Sequence, residues 1–162
     1  MSRFSVFRNK SYKFDIDDDN ENTLELISNN TSDLERGFIK YVDELGNVHS
    51  NILVKKVTID EIELVYELQV NAVYKGKEFE TYAVGPFCLE KNSLALFSME
   101  PSDMDQYGFE KQEQFVFKKD ISLDDVDALV EIKIPILSFE GNPVSRRLIP
   151  NNLIKEYLRN IN

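Results

Sequence analysis

The stretch "IELVYELQVNAVYKGKEFETYAV", residues 62–84, decides the fold class. Apolar side chains occupy every second position: Ile62, Leu64, Tyr66, Leu68, Val70, Ala72 and Tyr74. Glu63, Val65, Glu67, Gln69, Asn71 and Val73 fall between them. Successive side chains of a strand point to opposite faces, so a period of two predicts a strand. A helix would need apolar residues three and four apart. The run breaks at Lys75-Gly76-Lys77, where Gly76 can supply the positive φ of a tight turn. Phe79, Thr81 and Ala83 then resume the alternation. The reading is a long β-hairpin with one apolar face and one face rich in Glu and amide groups. An isolated hairpin is not stable, so the apolar face must be covered.

A second ladder, "ALVEIKIPILSF" from residue 128, places Val130, Ile132, Ile134 and Ile136 on one face. Pro135 cannot donate to a sheet, which predicts a free edge there. Shorter alternating runs are read at "RFSVFR", "KSYKFDI" (with Asn9-Lys10 as the turn), "TLELIS", "NILVKKVTI" and "EQFVFKK". "GPFCLEKNSLALFSM" reads as one or two strands after a Gly85-Pro86 break, and "EPSDMDQYG" as an acid-rich loop. "DISLDDVD" is an acidic turn or a short helix.

Residues 32–45 admit two readings. Ser32 and Glu35 form a capping-box pair, Leu34, Phe38, Tyr41/Val42 and Leu45 fall at helical spacing, and Gly46 suits a C-terminal cap. "GFIKYV" followed by "DELGNV" also reads as strand and turn; the helix is favoured. "PNNLIKEYLRNI" predicts a C-terminal amphipathic helix with Leu153, Ile154, Tyr157, Leu158 and Ile161 on its apolar stripe. Alternating rather than continuously apolar strands argue for antiparallel pairing. The expected fold is mainly β (β-rich α+β): an antiparallel sheet or β-sandwich with the C-terminal helix beside it. No repeat and no linker stand out, so residues 1–162 read as one domain.

Composition narrows the chemistry. At 162 residues the chain can bury roughly 70% of the surface its unfolded form exposes. Cys88 is the only cysteine, which fits a reducing compartment. "MSRFSVFRNK" lacks the apolar core of a signal peptide and no run reaches transmembrane length, so the expected location is cytoplasmic. His49 is the only histidine, which leaves no paired-His metal site. "DIDDDNE" at 15–21 offers Asp15, Asp17 and Asp19 at calcium-loop spacing. Asn20 and Leu26, however, stand where that loop needs Gly and Glu. There is no Gly-rich phosphate loop, no nucleophile elbow and no Trp for a sugar platform. The reading is a protein that is not an enzyme and carries no cofactor or metal.

The net charge is −10 and unevenly spread. Residues 1–13 carry Arg3, Arg8, Lys10 and Lys13 without an acid, and 146–159 carry Arg146, Arg147, Lys155 and Arg159 against Glu156. From Glu100 to Glu131 ten acids face only Lys111, Lys118 and Lys119. Such a field repels nucleic acid and anionic membranes and attracts basic proteins. "RFSVFRNKSYKF" interleaves basic and aromatic residues as single-strand binders do, but also as protected sheet edges do.

The expected function is therefore a small acidic binding protein that masks a basic protein partner. Immunity proteins against delivered toxins and small phage-encoded inhibitors are examples of that class. The expected partner surface comprises Asp103, Asp105, Asp124, Asp125 and Asp127, with Glu63 and Glu67, and with Tyr107 or Phe109 as exposed anchors. The alternative is a chaperone-like or assembly protein that pairs through a sheet edge or the C-terminal helix, including with a second copy of itself.

Overall fold

A computed structural model describes residues 2–161. It is mainly antiparallel β-structure with a C-terminal helix and few others, as the ladders predict. The chain divides into two compact units. The first comprises Ser2–Leu68 and Ile134–Pro143, and the second residues 69–133 and 144–161.

In the first unit the strands are β1 (Ser2–Phe7), β2 (Lys10–Asp17), β3 (Asn20–Ser28), β4 (Ile39–Val42) and β5 (Val48–Thr58). The first half of β6 (Leu64–Tyr74) completes it. The strand order is β4-β5-β3-β2-β1-β6. Its core joins Phe7, Tyr12, Phe14, Leu24, Leu26, Phe38, Leu53, Val57, Ile62 and Val65.

The second unit takes the rest of β6, then β7 (Lys77–Thr81), helix α1 (Phe87–Lys91), β8 (Ser93–Ser98) and helix α2 (Ser102–Tyr107). There follow β9 (Glu110–Glu113), β10 (Val116–Ser122), β11 (Ala128–Pro135), β12 (Ser145–Pro150) and helix α3 (Ile154–Asn160). Its order is β9-β10-β8-β7-β6, with β11 pairing both β6 and β12.

The two units are copies of one plan. In each, a two-residue turn with both residues at positive φ joins the first hairpin: Arg8 (48°) and Asn9 (63°), then Lys75 (49°) and Gly76 (80°). Lys13↔Ile27 in β2–β3 corresponds to Glu80↔Phe97 in β7–β8. Leu24↔Val57 and Thr23↔Thr58 correspond to Leu94↔Ile121 and Ser93↔Ser122. The 3-10 turn Ile59–Glu61 matches the 3-10 turn Leu123–Asp125. The next residue but one then donates back to the first hairpin in both copies: Glu63 N to Val6 O, and Asp127 N to Val73 O, each at 2.9 Å. With that alignment the sequence repeat is visible. "VTIDEIELVYELQV" (57–70) lies over "ISLDDVDALVEIKI" (121–134), and "SNNTSDLERGF" (28–38) over "SMEPSDMDQYGF" (98–109).

Several local expectations are corrected. Residues 32–45 are not one helix. A 3-10 turn, Thr31–Arg36, ends at Gly37 (φ 91°), and β4 follows. Gly37 in the left-handed region ends the turn, and Phe38 then enters the core, so the chain continues extended. The first hairpin turns at Arg8-Asn9, not Asn9-Lys10. "FCLEK" is α1 rather than strand, and "SDMDQY" is α2 rather than loop. Pro135 does not mark a free edge: it ends β11, which has partners on both sides. β6 is not wet on its second face. Val65 is fully buried in the first unit's core, and Asn71 is buried as well. The predicted stripe of α3 holds at Ile154, Leu158 and Ile161, which are buried, whereas Leu153 is 45% exposed.

Candidate functional site

Each unit is held by the same polar clasp. In the first, the Asp33 carboxylate is wholly buried and receives Lys10 Nζ at 3.0 and 3.1 Å, Tyr12 Oη at 2.9 Å and the Ser28 hydroxyl. Ser28 Oγ in turn accepts Asn30 N. In the second, Asp103 is buried and receives Lys77 Nζ at 2.8 Å and the Ser98 hydroxyl, and Ser98 Oγ accepts Glu100 N. Burial pushes the Asp33 carboxyl up, but hydrogen bonds from Ser28, Lys10 and Tyr12 outweigh it and hold the group below the usual carboxylate range. Burial and the neighbouring Asp33 carboxylate push the Tyr12 phenol up to about 12. Hydrogen bonds to Asp103 and Glu100 hold the Lys77 ammonium above its usual range. Both clasps join the strand–helix connection to the first hairpin of their unit.

This removes two residues from the expected partner surface. Asp103 is consumed by Lys77 and Ser98. Phe109 is buried against Phe79, with ring centroids 5.0 Å apart, and is no exposed anchor. Tyr107 is half-buried on the same ring, at 5.1 Å. Glu63 is exposed but accepts Asn9 N at 3.0 Å, and Asp127 accepts Gly76 N at 3.3 Å, so both carboxylates brace the turn of their own unit. Glu67 lies across from Arg3 in the β1–β6 register. Asp103 and Asp127 are brought together around the β6–β7 turn. Asp124 and Asp125 share the 3-10 turn, and Asp105 stands on α2.

Exposed carboxylates form a ridge. From residue 120 to 127 the apolar Ile121, Leu123 and Val126 are buried, while Asp120, Asp124, Asp125 and Asp127 are exposed. Ser122 Oγ accepts Asp124 N, so the turn is capped without a carboxylate. The same place in the first unit spends its acid. Glu61 Oε2 accepts Thr58 N at 2.9 Å in a capping box. Asp125, one methylene shorter, makes no such bond. The cations near the ridge are weakly engaged: Lys155 stands 3.9 Å from Asp124 and Lys118 3.6 Å from Asp120, in exposed pairs. Asp120 is a ridge residue that the sequence alone did not single out. Its signal is the alternation of buried and acidic positions through "DISLDDVD".

The lone His49 bonds Asp43 Oδ2 at 2.9 Å on the β4–β5 hairpin, and the buried Cys88 thiol points to Ala83 O at 3.8 Å. Asp17 and Asn20 hold the β2–β3 turn through Asp19 N and Asn22 N. Among the described residues no group of three or more His, Cys, Asp or Glu side chains gathers as metal ligands would. Among them, too, no helix is long and apolar enough to cross a membrane.

No curated protein and no solved structure matches the chain at a significant level. A family model matches residues 1–138, a span that contains both copies of the repeat and stops before β12 and α3. The chain thus belongs to the family described as uncharacterised conserved protein UCP033725.

Proposed function

We propose that the protein is a non-enzymatic binding protein that masks a basic protein partner through the acidic ridge of the second unit. Asp120, Asp124 and Asp125 carry the contact, with Asp105 on α2 adding charge. The observation that supports this is the division of labour between the copies. Both acids are exposed, but Glu61 is spent on capping its own turn, whereas Asp125 makes no such bond and its turn is capped by Ser122. Carboxylates that a fold does not use raise its self-repulsion, and that cost is offset when they meet cations. On this reading the net charge of −10 speeds encounter with the partner, and the protein works in the cytoplasm.

The test is a tagged capture from the native host at low and moderate salt, made with the wild-type chain and with D120K/D124K/D125K. Asp127 is left intact because it braces Gly76. The expected result is one basic protein in near-equal amount, retained by the wild type, weakened by salt and lost from the variant. Equal capture by both proteins would overturn the reading.

A further inference from the structure

β4 is the outermost strand of the first unit, and among the described residues it pairs with β5 alone. β9, at the same place in the second unit, carries no apolar side chain. The strand β4 and the turn after it, "IKYVDEL" (39–45), hold Ile39, Val42 and Leu45 in solvent, and Leu45 at 88% is the most exposed large apolar side chain among the described residues. Val48, across from Val42 on β5, is exposed too. Lys40 and Glu44 are exposed, and neither enters an ion pair among the described residues.

The backbone fixes which residues face the open edge. Asp43 N donates to Asn47 O at 3.0 Å, so Asp43 turns its backbone groups toward β5. That direction alternates along an antiparallel strand, so Lys40 and Val42 turn theirs outward, with Glu44 next in line at the start of the turn. The irregularity between Lys40 and Tyr41 lies on β5: Lys40 opposes Leu53 and Tyr41 opposes His49, so Ser50, Asn51 and Ile52 are the extra residues. Two such edges related by a two-fold axis can pair only with outward residues opposite outward residues. An axis through Lys40 opposes two lysines. An axis through Tyr41 sets Ile39 against Asp43, whose carboxylate already accepts Leu45 N, Asn47 N and bonds His49. An axis through Val42 matches every side chain: Lys40 meets Glu44, Ile39 meets Leu45, and Val42 meets its mate in a row of four valines with the two Val48 residues.

We infer that β4 is a self-association edge: a second copy of this chain adds its own β4 antiparallel to the first, about a two-fold axis at Val42. The occupant is a second copy because the edge complements itself in charge and in apolar surface in one register that its backbone permits. The paired strand has four residues, so the contact is small and the dimer forms with rising concentration. It uses the first unit alone and does not depend on the acidic ridge, which belongs to the second.

The test is sedimentation velocity of the full chain at one ionic strength, from about 1 μM to about 1 mM. A monomer–dimer equilibrium is expected, with a Kd of about 10–100 μM for so short an edge. Lys40→Glu and Glu44→Lys each set like charges opposite one another twice across the axis, and each is expected to weaken the dimer about tenfold or more. K40E/E44K exchanges the ends of the same pair and is expected to return the Kd to within about threefold of wild type. Both side chains are exposed, so all three variants should unfold at the wild-type urea midpoint. A chain that stays monomeric up to about 1 mM, single reversals that leave the dimer unchanged, or a double variant that stays as weak as the singles would each overturn the assignment.

Discussion

The two halves of the repeat solve one problem with different surroundings. Both bury an aspartate under a lysine and a serine hydroxyl. In the first unit Tyr12 Oη supplies a further donor; in the second its place is taken by Phe79, and Lys77 is shared with Glu100 at 2.9 Å. Each copy also has a glycine at positive φ beside a lysine ammonium, Gly37 (91°) and Gly108 (75°). A Cβ on Gly37 would meet Lys55 Nζ at 2.7 Å, and one on Gly108 would meet Lys119 Nζ at 3.1 Å. The outer edges have drifted apart. β4 reads Ile-Lys-Tyr-Val, with Ile39 67% and Val42 53% exposed, whereas β9 reads Glu-Lys-Gln-Glu. Charged residues on an edge strand discourage further pairing, so β9 is a protected edge and β4 is not. The clasp is therefore what the two copies share, and the acids and edges around it are where they differ.

The largest predicted effect breaks the clasp. Asp33→Ala strands Lys10 and two hydroxyl donors and is expected to cost about 3–5 kcal/mol, read by urea unfolding. Asp103→Ala is expected to fall in the same range. A loss below about 1 kcal/mol in either would show that the two clasps are not equivalent.

Acid tests the first clasp. The folded Asp33 carboxyl sits below its unfolded value, so its contribution is complete above about pH 5 and is lost as the pH falls through the depressed value. Wild-type stability should therefore fall more steeply below about pH 4 than that of Asp33→Asn, measured by urea midpoints across pH. Parallel curves would contradict the assignment.

Tyr12→Phe gives the first clasp the side chain of the second. It removes one hydrogen bond and is expected to cost about 1 kcal/mol by thermal unfolding. Glu61→Asp shortens the capping acid to the length found at Asp125, with an expected loss of about 0.5–1 kcal/mol. The smallest effect belongs to the ridge. D120K/D124K/D125K should shift unfolding by no more than about 0.5 kcal/mol, because these carboxylates are exposed and only loosely paired.

Much of this was legible in the sequence and some was hidden for physical reasons. The ladders at 62–74 and 128–134 announced themselves because eleven- and eight-residue strands show their period clearly. α1 and α2, at five and six residues, are too short to show a helical period. The predicted Ser32–Glu35 capping pair does not form: Asn30 Oδ1 caps the turn by accepting Ser32 N, and Gly37 ends it before a helix can grow. The repeat was masked because α1 interrupts the second copy between β7 and β8 and the outer hairpins differ in length. Asp103 looked like a surface acid by composition. Only the pairing of β7 with β8 brings Lys77 and Ser98 around it, and spacing along the chain does not reveal that.

The claim that the acids at the 3-10 turn of the second copy, and not those at the matching turn of the first, meet the partner is tested most directly by a matched comparison. D60K in the first unit and D124K in the second change the same position of the plan. Both proteins are used to capture partners from the native host at one salt concentration, with quantitative mass spectrometry. The account predicts that D60K retains the basic partner at the wild-type level and D124K loses most of it. Equal retention by both, or greater loss with D60K, would contradict it.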